Sequence, residues 1–133
     1  MIFPRPFQPT WARTAGLDDL PRHELRALER LGTVIRLPER HVVCRQHTSG
    51  RECVLVLDGE LGVARDGRDV ARVRSGYFAG EMALLTGQAR NATVRATDGA
   101  DVLVFNRREF STVLDRCPTV TKRIFTTALA RIG

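Results

Sequence analysis

Lysine, paired cysteines and long hydrophobic runs are scarce in this chain of 133 residues. The longest apolar run, from Cys53 to Leu57, is far shorter than the roughly 20 residues of a membrane-spanning helix, so we expect no membrane span. The three cysteines are an odd number without a Cys-x-x-Cys pair, which favours buried, reduced thiols over a disulfide framework. Pro4, Arg5 and Pro6 interrupt the apolar amino terminus, so we expect no secretory signal and a cytoplasmic protein.

Positive charge comes almost entirely from arginine. The 21 basic and 15 acidic residues give a formal net charge of +6, and Lys122 is the only lysine. The arginines are spread from Arg5 to Arg131 without a basic run of five or more. Because clustered positive charge marks a nucleic-acid surface, this distribution favours a solvated arginine-rich surface. We expect no DNA-binding element within this chain.

The length and composition predict one folded domain preceded by an arm. Residues 1–16 show no sustained period and are predicted to be irregular, packing through Phe3, Phe7 and Trp11. Residues 17–133 are predicted to form the domain. Apolar residues recur at helical spacing from Leu17, and Gly32 is predicted to end this first helix.

The middle of the chain changes to short segments that are rich in β-branched residues and mostly alternate between apolar and polar. Asp-Gly pairs at residues 58–59, 66–67 and 98–99 predict tight turns, which favour antiparallel hairpins over parallel crossovers. A mainly β fold with flanking helices, closed as a barrel-like roll, follows from this pattern. The seven predicted strands are Thr33 to Leu37, Val42 to Arg45, Cys53 to Leu57, Glu60 to Arg65, Asp69 to Val73, Ala92 to Ala96 and Val102 to Phe105.

Helical periodicity returns after Asn106. Asn106 and Glu109 have the spacing of a capping box, in which each side chain bonds to the backbone of the other residue. Pro118 ends that helix and suits the first turn of another. Two carboxy-terminal helices are therefore predicted.

The segment from Gly76 to Val94 is too long for a hairpin and carries the candidate site. Residues 81–85 predict one helical turn after Gly80, and the free amides and dipole of such a turn attract an anion. Arg90 can pair with a phosphate through two parallel charge-assisted hydrogen bonds. A carboxylate at Glu81 would repel that phosphate unless it bonds to a donor elsewhere on the same ligand, such as a sugar hydroxyl. The segment therefore favours a nucleotide held by its sugar and phosphate.

This segment resembles the phosphate-binding cassette of cyclic nucleotide-binding domains, and the likeness extends over most of the chain from Leu17 onward. The resemblance implies an eight-stranded antiparallel β-roll, or double-stranded jelly roll, with an N-terminal helix and two C-terminal helices. It also implies a regulatory domain without catalytic residues, cofactor or metal. The matching residues are Gly76, Phe78, Gly80, Glu81, Ala83, Leu84, Arg90, Ala92, Thr93 and Val94.

The resemblance further implies a ligand and the residues that bind it. The ligand would be a cyclic nucleotide, with cAMP favoured over cGMP. Glu81 would accept the ribose 2′-hydroxyl, and Arg90 would pair with the cyclic phosphate. Asn91 stands where family members more often carry alanine, serine or threonine, a choice linked with base preference. Backbone amides around Gly80, Met82, Ala83, Asn91 and Ala92 would donate to the phosphate oxygens.

Other hypotheses remain open at the level of sequence. A roll that kept its shape but lost its ligand would act as an interaction or dimerisation module, with the last helix as the contact to a second copy or an unidentified effector protein. The chain could also be the effector-domain fragment of a larger regulator, such as a transcription factor. A metal-binding enzyme is disfavoured, because His23, His41 and His47 do not form a His-x-His pair.

Overall fold

The computed structural model describes residues 9–132, and side chains up to Leu129. The expected contacts of Phe3 and Phe7 lie outside the described residues. Within them, residues 10–15 form consecutive turns, and Trp11 is partly buried against the core. The described end of the arm therefore packs on the domain.

Residues 9–132 form four helices and one antiparallel sheet of six strands. The sheet has the order β1-β6-β3-β4, with β2 also paired to β6 and β5 to β3. Mainly β structure with flanking helices is thereby confirmed. The elements in chain order are α1 (Arg22–Leu31), β1 (Thr33–Leu37), β2 (Val42–Cys44), β3 (Glu52–Arg65), β4 (Arg68–Arg74), β5 (Phe78–Ala79), α2 (Glu81–Thr86), β6 (Thr93–Asn106), α3 (Arg107–Arg116) and α4 (Pro118–Ile132).

Strands β3 and β6 merge four of the seven predicted strands into two, and the unpredicted β5 brings the number of strands in the described residues to six, against the eight that the resemblance implies. Each of β3 and β6 is 14 residues long and contains two of the strands predicted from the sequence. Their shared register shifts on both sides of residues 58–59, where bulges bend the paired strands. The tight turns predicted at residues 58–59 and 98–99 are therefore wrong, because both pairs lie inside continuous strands. Strand β5, with only two residues, was not predicted.

The predicted turn at Asp66-Gly67 is confirmed. Arg65 pairs with Arg68 across it, so Asp66 and Gly67 are the two residues of the loop between β3 and β4. Their φ angles are +53° and +79°. Two positive φ angles in a two-residue loop match the twist of the flanking strands. This turn closes a hairpin that forms one wall of the site described below.

The two faces of β3 serve two apolar cores, because successive side chains of a strand point to opposite sides. Val54 and Val56 pack inside the roll with Val102 of β6. Cys53, Leu55 and Leu57 instead pack in the core shared with the helices. Burying both faces explains the near-continuous apolar run of this strand.

The helices follow the sequence signals at most of their ends. Helix α1 begins at Arg22, so the predicted start at Leu17 is wrong, and Pro21 occupies the N-cap position. Gly32 follows its last residue, as predicted. Asn106 and Glu109 form the expected capping box before α3, and α4 begins at Pro118. None of the helices in the described part of the chain is long and apolar enough to cross a membrane.

A buried carboxylate joins α1 to α4. Glu24 is fully buried, and its two carboxylate oxygens accept hydrogen bonds from the backbone amides of Val120, at 2.9 Å, and Thr119, at 3.3 Å. These amides belong to the first turn of α4, where they lack partners within the helix. The side chain of one helix therefore caps another and fixes where α4 starts.

Candidate functional site

A cavity of about 270 Å³ lies between the β3–β4 hairpin and the segment that follows β5. We call it the inner cavity. The structure brings every residue predicted to bind a ligand into its wall, although ligand binding itself stays a prediction. These residues are Gly80, Glu81, Met82, Ala83, Arg90, Asn91 and Ala92.

Arg90 is a buried cation with a defined orientation, because only 8% of the residue is exposed. Its Nη1 donates to the carbonyl of Gly80 at 3.1 Å, and its Nη2 donates to the carbonyl of Glu52 at 2.6 Å. Each terminal nitrogen of a guanidinium carries two hydrogens, so these bonds leave donors for a further acceptor. The arrangement suits the recognition of an oxyanion.

Two glycines make room for this guanidinium. Gly80 has φ +83°, and a Cβ atom there would lie 2.6 Å from Nη1 of Arg90. A Cβ atom on Gly50 would lie 2.5 Å from Cβ of Ala83 and 3.4 Å from Cζ of Arg90. Gly80 was predicted among the ligand-binding residues, whereas Gly50 was not. Its role at the site depends on a contact with residues far along the chain.

Helix α2 carries Glu81 into the same wall. It begins directly after Gly80 and ends at Thr86, and the next residue, Gly87, has φ +71°. Glu81 is only 1% exposed. A carboxylate and a guanidinium therefore lie in one cavity wall, on adjoining parts of one segment. This supplies an acceptor and donors to a ligand that carries both a hydroxyl and an anionic group.

All three cysteines are buried and free, as expected from their number and spacing. Burial raises the pKa of the Cys44 thiol to about 11, against a lowering effect of the Arg90 charge and a further raising effect of Glu81. Burial likewise raises the pKa of Cys53 well above its ordinary value. Both thiols are therefore neutral at physiological pH.

Sequence reasoning missed the opposite wall of the inner cavity. Val63 of β3 and Val73 of β4 supply apolar surface there, and Arg65 and Arg72 add positive charge. Arg72 forms an ion pair with Glu60 across the hairpin. Counting residues outward from the Asp66-Gly67 turn pairs Val63 with Val70, but the register shifts between Val63 and Ala64, and Val63 faces Ala71 instead. An apolar wall facing an oriented cation suits a flat heterocycle attached to an anion.

A second cavity, of about 570 Å³, lies between α4, β5 and residues 15–20, and we call it the outer cavity. Its wall is largely apolar and includes Leu20 and Ile124. Arg123 also lines it, but forms an ion pair with Asp19. The hydrogen bond from Arg123 lowers the pKa of Asp19, so this carboxylate stays charged at neutral pH. The outer cavity is larger, but its arginine already has a carboxylate partner.

A metal centre is not assembled in the part of the chain that the structure covers. Among residues 9–132, no three His, Cys, Asp or Glu side chains form a group that could hold a metal ion. The proximity of His41 and His47 to Cys44 in the sequence therefore does not become a ligand set.

Comparison with known sequences shows the family to which the chain belongs. The model of the cyclic nucleotide-binding domain family matches residues 34–117. A cyclic nucleotide-gated potassium channel of Rhizobium etli is 32% identical over 97 residues, which cover 73% of this chain and 27% of the channel. A cAMP-dependent protein kinase regulatory subunit of Schizosaccharomyces pombe is 34% identical over 74 residues, covering 55% of this chain and 18% of that protein. The chain thus spans about a quarter of the length of the channel.

Solved structures agree on the fold. The catabolite activator protein of Thermus thermophilus superposes with a TM-score of 0.72 and 24% identity, covering 88% of this chain and 57% of that one. The cAMP-bound regulatory subunit PfPKA-R gives a TM-score of 0.71 and 19% identity, covering 92% and 45%. The family match covers more than half of the chain, so the chain belongs to the cyclic nucleotide-binding domain family.

Proposed function

We propose that residues 17–133 form a regulatory domain that binds a 3′,5′-cyclic nucleotide in the inner cavity, with cAMP preferred over cGMP. The observation that carries the proposal is Arg90, a buried guanidinium held by two backbone carbonyls in a cavity wall that also contains Glu81. A cyclic nucleotide carries one negative charge on its phosphate and a free ribose 2′-hydroxyl. These two groups match a guanidinium and a carboxylate in one wall.

The proposed contacts divide the ligand among three parts of the cavity. Arg90 pairs with the cyclic phosphate, aided by backbone amides of Gly80, Met82, Ala83, Asn91 and Ala92. Glu81 accepts the ribose 2′-hydroxyl. The base lies toward the apolar side chains of the β3–β4 hairpin, which include Val63 and Val73. Because relatives are named for cAMP and for cGMP, base preference is part of the test.

The proposed role is to report nucleotide binding rather than to catalyse a reaction. Binding changes the arrangement of α3 and α4 only if the nucleotide prefers one arrangement, typically by ~1 to 3 kcal/mol. The receiver is either another part of a longer regulator or a separate effector. Phe125 and Leu129, 46% and 69% exposed and four residues apart on α4, favour a contact with that effector or a second copy. Three buried, reduced thiols favour a cytoplasmic location.

Calorimetric titration with cAMP, cGMP, 5′-AMP and inorganic phosphate tests the proposal. We expect cAMP to bind most tightly and 5′-AMP much more weakly. Replacing Arg90 by glutamine should weaken cAMP binding at least about 30-fold, because loss of a buried charged partner costs ~2 to 5 kcal/mol. The cAMP affinity of Arg90→Lys should lie between those of the wild type and Arg90→Gln, because lysine keeps the charge but lacks the planar guanidinium.

Arg123→Gln is the matched control, because it removes an arginine that lines the outer cavity. We expect its cAMP affinity to stay within about threefold of wild type. Circular dichroism and thermal unfolding establish that each variant is folded. Wild-type affinity in Arg90→Gln would contradict the site, and no binding of either cyclic nucleotide by the wild type would favour a roll that has lost its ligand.

A further inference from the structure

Three side chains at one end of the roll connect the β3–β4 hairpin to the segment that carries Arg90. They are Gln46, Arg65 and Asp66, and we call them the clasp. Gln46 and Asp66 form two hydrogen bonds: Nε2 of Gln46 donates to Oδ1 of Asp66 at 3.0 Å, and the backbone amide of Asp66 donates to Oε1 of Gln46 at 2.9 Å. The pair joins the tip of the hairpin to the loop that follows β2.

That loop is bonded directly to the backbone of Arg90. The amide of His47 donates to the carbonyl of Arg90 at 2.8 Å, and the amide of Arg90 donates to the carbonyl of Thr48 at 2.7 Å. The amide of Gln46 also donates to Oγ1 of Thr93 at 3.1 Å. The position of the loop that carries Gln46 is therefore coupled to the position of the Arg90 backbone.

Arg65 provides the second connection. Its Nε donates to the backbone carbonyl of Asn91 at 3.2 Å, and its side chain lines the inner cavity. Asn91 directly follows Arg90, so the hairpin tip bonds directly to the residue after Arg90 and, through the loop that follows β2, to the backbone of Arg90 itself. Residues 87–92 have no helix or strand pairing of their own. Their position therefore depends on bonds to neighbouring elements.

We propose that the clasp is the positioning element of the inner cavity, and that it holds the backbone of Arg90 and Asn91 in the arrangement that grips the ligand phosphate. This inference rests on the proposed function. Arg65 and Asp66 lie at the tip of the hairpin and Gln46 on the loop that follows β2, and their hydrogen bonds are exposed, so these bonds add little to overall stability. Their effect on affinity is larger, because a binding group must be held close to its productive geometry by supporting hydrogen bonds.

The test compares Gln46→Ala and Arg65→Gln with two matched controls. Gln88→Ala removes a glutamine side chain from the cassette segment itself, where Gln88 bonds to Thr86 through its backbone amide. Arg68→Gln removes the same charge as Arg65→Gln from the paired position across the hairpin, outside the wall of the inner cavity. Comparing Gln46→Ala with Gln88→Ala isolates the hydrogen bonds of the clasp, because neither variant changes charge. Arg65→Gln and Arg68→Gln lose the same net charge, but Arg65 also lines the inner cavity, so the Gln46 comparison decides the inference.

We expect Gln46→Ala and Arg65→Gln each to weaken cAMP binding about tenfold, mainly through faster dissociation measured by stopped flow. Gln88→Ala and Arg68→Gln should stay within about threefold of wild type. The conservative variant Asp66→Asn should keep an affinity close to wild type, because its Oδ1 can still accept a hydrogen bond from Gln46 and asparagine tolerates a positive φ. Amide hydrogen exchange at Arg90 and His47 should accelerate in ligand-free Gln46→Ala.

The outcomes separate this inference from the proposed function. If the wild type binds cAMP but the clasp variants dissociate at the wild-type rate, the inference is wrong while the function stands. A lower thermal midpoint with unchanged dissociation would also overturn it, since that result indicates a purely structural role. If the wild type binds neither cyclic nucleotide, the proposed function fails and the inference fails with it.

Discussion

The inner and outer cavities differ in charge as well as in volume. The outer cavity is about 570 Å³ and the inner cavity about 270 Å³, yet only the smaller one contains a buried arginine. Two carbonyls orient Arg90 and carry no net charge themselves. Arg123, in the outer cavity, is instead exposed and paired with the carboxylate of Asp19. The smaller cavity is therefore the one built to attract an anion.

Glu81 lies in the walls of both cavities. It is the first residue of α2 and directly follows Gly80, so the packing of Gly80 affects how both Glu81 and Arg90 are oriented toward the inner cavity. The two arginines also differ in how closely they are packed. Arg90 needs a glycine beside it, whereas the ion pair of Arg123 with Asp19 is open to solvent. Variants that disturb each region separately can therefore test the distinction between the cavities.

The largest effect is expected at Gly80. Gly80→Ala places a Cβ atom 2.6 Å from Nη1 of Arg90 at a positive φ, so both strain and displacement of the guanidinium follow. We expect the free energy of unfolding to fall by about 2 to 4 kcal/mol and cAMP affinity to fall at least about tenfold. Urea unfolding and calorimetric titration measure the two quantities.

Gly87→Ala is the control for Gly80→Ala. Gly87 also has a positive φ, but a Cβ atom there has no heavy atom within 4 Å in the described structure. Only the backbone strain remains, so we expect a loss of about 1 kcal/mol in stability and a cAMP affinity close to wild type. Equal affinity losses in the two variants would show that strain in α2, rather than contact with Arg90, controls the site.

Local signals in the sequence predicted which residues of one segment line the inner cavity, but not the whole wall of that cavity. The candidate site residues lie in one continuous segment, so spacing alone placed Gly80, Glu81 and Arg90 near one another. Gly50 and the β3–β4 wall were missed, because their contacts join residues that are distant in the chain. The predicted helix start at Leu17 was wrong for a related reason, since Leu17 and Leu20 face the same core from turns rather than from a helix.

The second largest effect is expected at Glu24, which belongs to the helical side of the molecule and not to the inner cavity. Glu24→Ala leaves the buried amides of Thr119 and Val120 without their acceptor. We expect this to lower the free energy of unfolding by about 2 kcal/mol, with less loss in Glu24→Gln, which keeps one oxygen acceptor. Chemical unfolding measures the change.

Glu29→Ala is the control for Glu24→Ala, because it removes an exposed glutamate from the same helix. Its stability should stay within about 0.5 kcal/mol of wild type. We expect all three glutamate variants to bind cAMP within about threefold of wild type, because neither residue lines the inner cavity. A larger loss of affinity in Glu24→Ala than in Arg90→Gln would contradict the separation of the two regions.

The smallest effect is expected from the thiols, which occur in both regions: Cys44 in the wall of the inner cavity and Cys117 beside Glu24. Burial raises the pKa of each to about 11 from an ordinary value near 9. Between pH 9 and 11 the unfolded thiols ionise while the folded ones stay protonated, so their contribution to stability is complete below pH 9 and is lost as pH rises. At pH 10 we expect about 1 kcal/mol less stability per thiol, measured by urea unfolding across this range.

Replacing either thiol by alanine should reduce this dependence of stability on pH. The stability of each variant is compared with that of the same variant at pH 8, so the cost of the missing sulfur cancels.

The two thiols should also differ in how bound nucleotide affects their alkylation by iodoacetamide at pH 9. Bound cAMP would cover Cys44 in the wall of the inner cavity, whereas Cys117 is packed among the helices. The nucleotide should therefore slow alkylation of Cys44 more than that of Cys117. Cys117 is protected only by the general stabilisation that any bound ligand gives to the folded state. Equal protection of the two thiols would indicate that cAMP stabilises the whole domain without occupying the inner cavity.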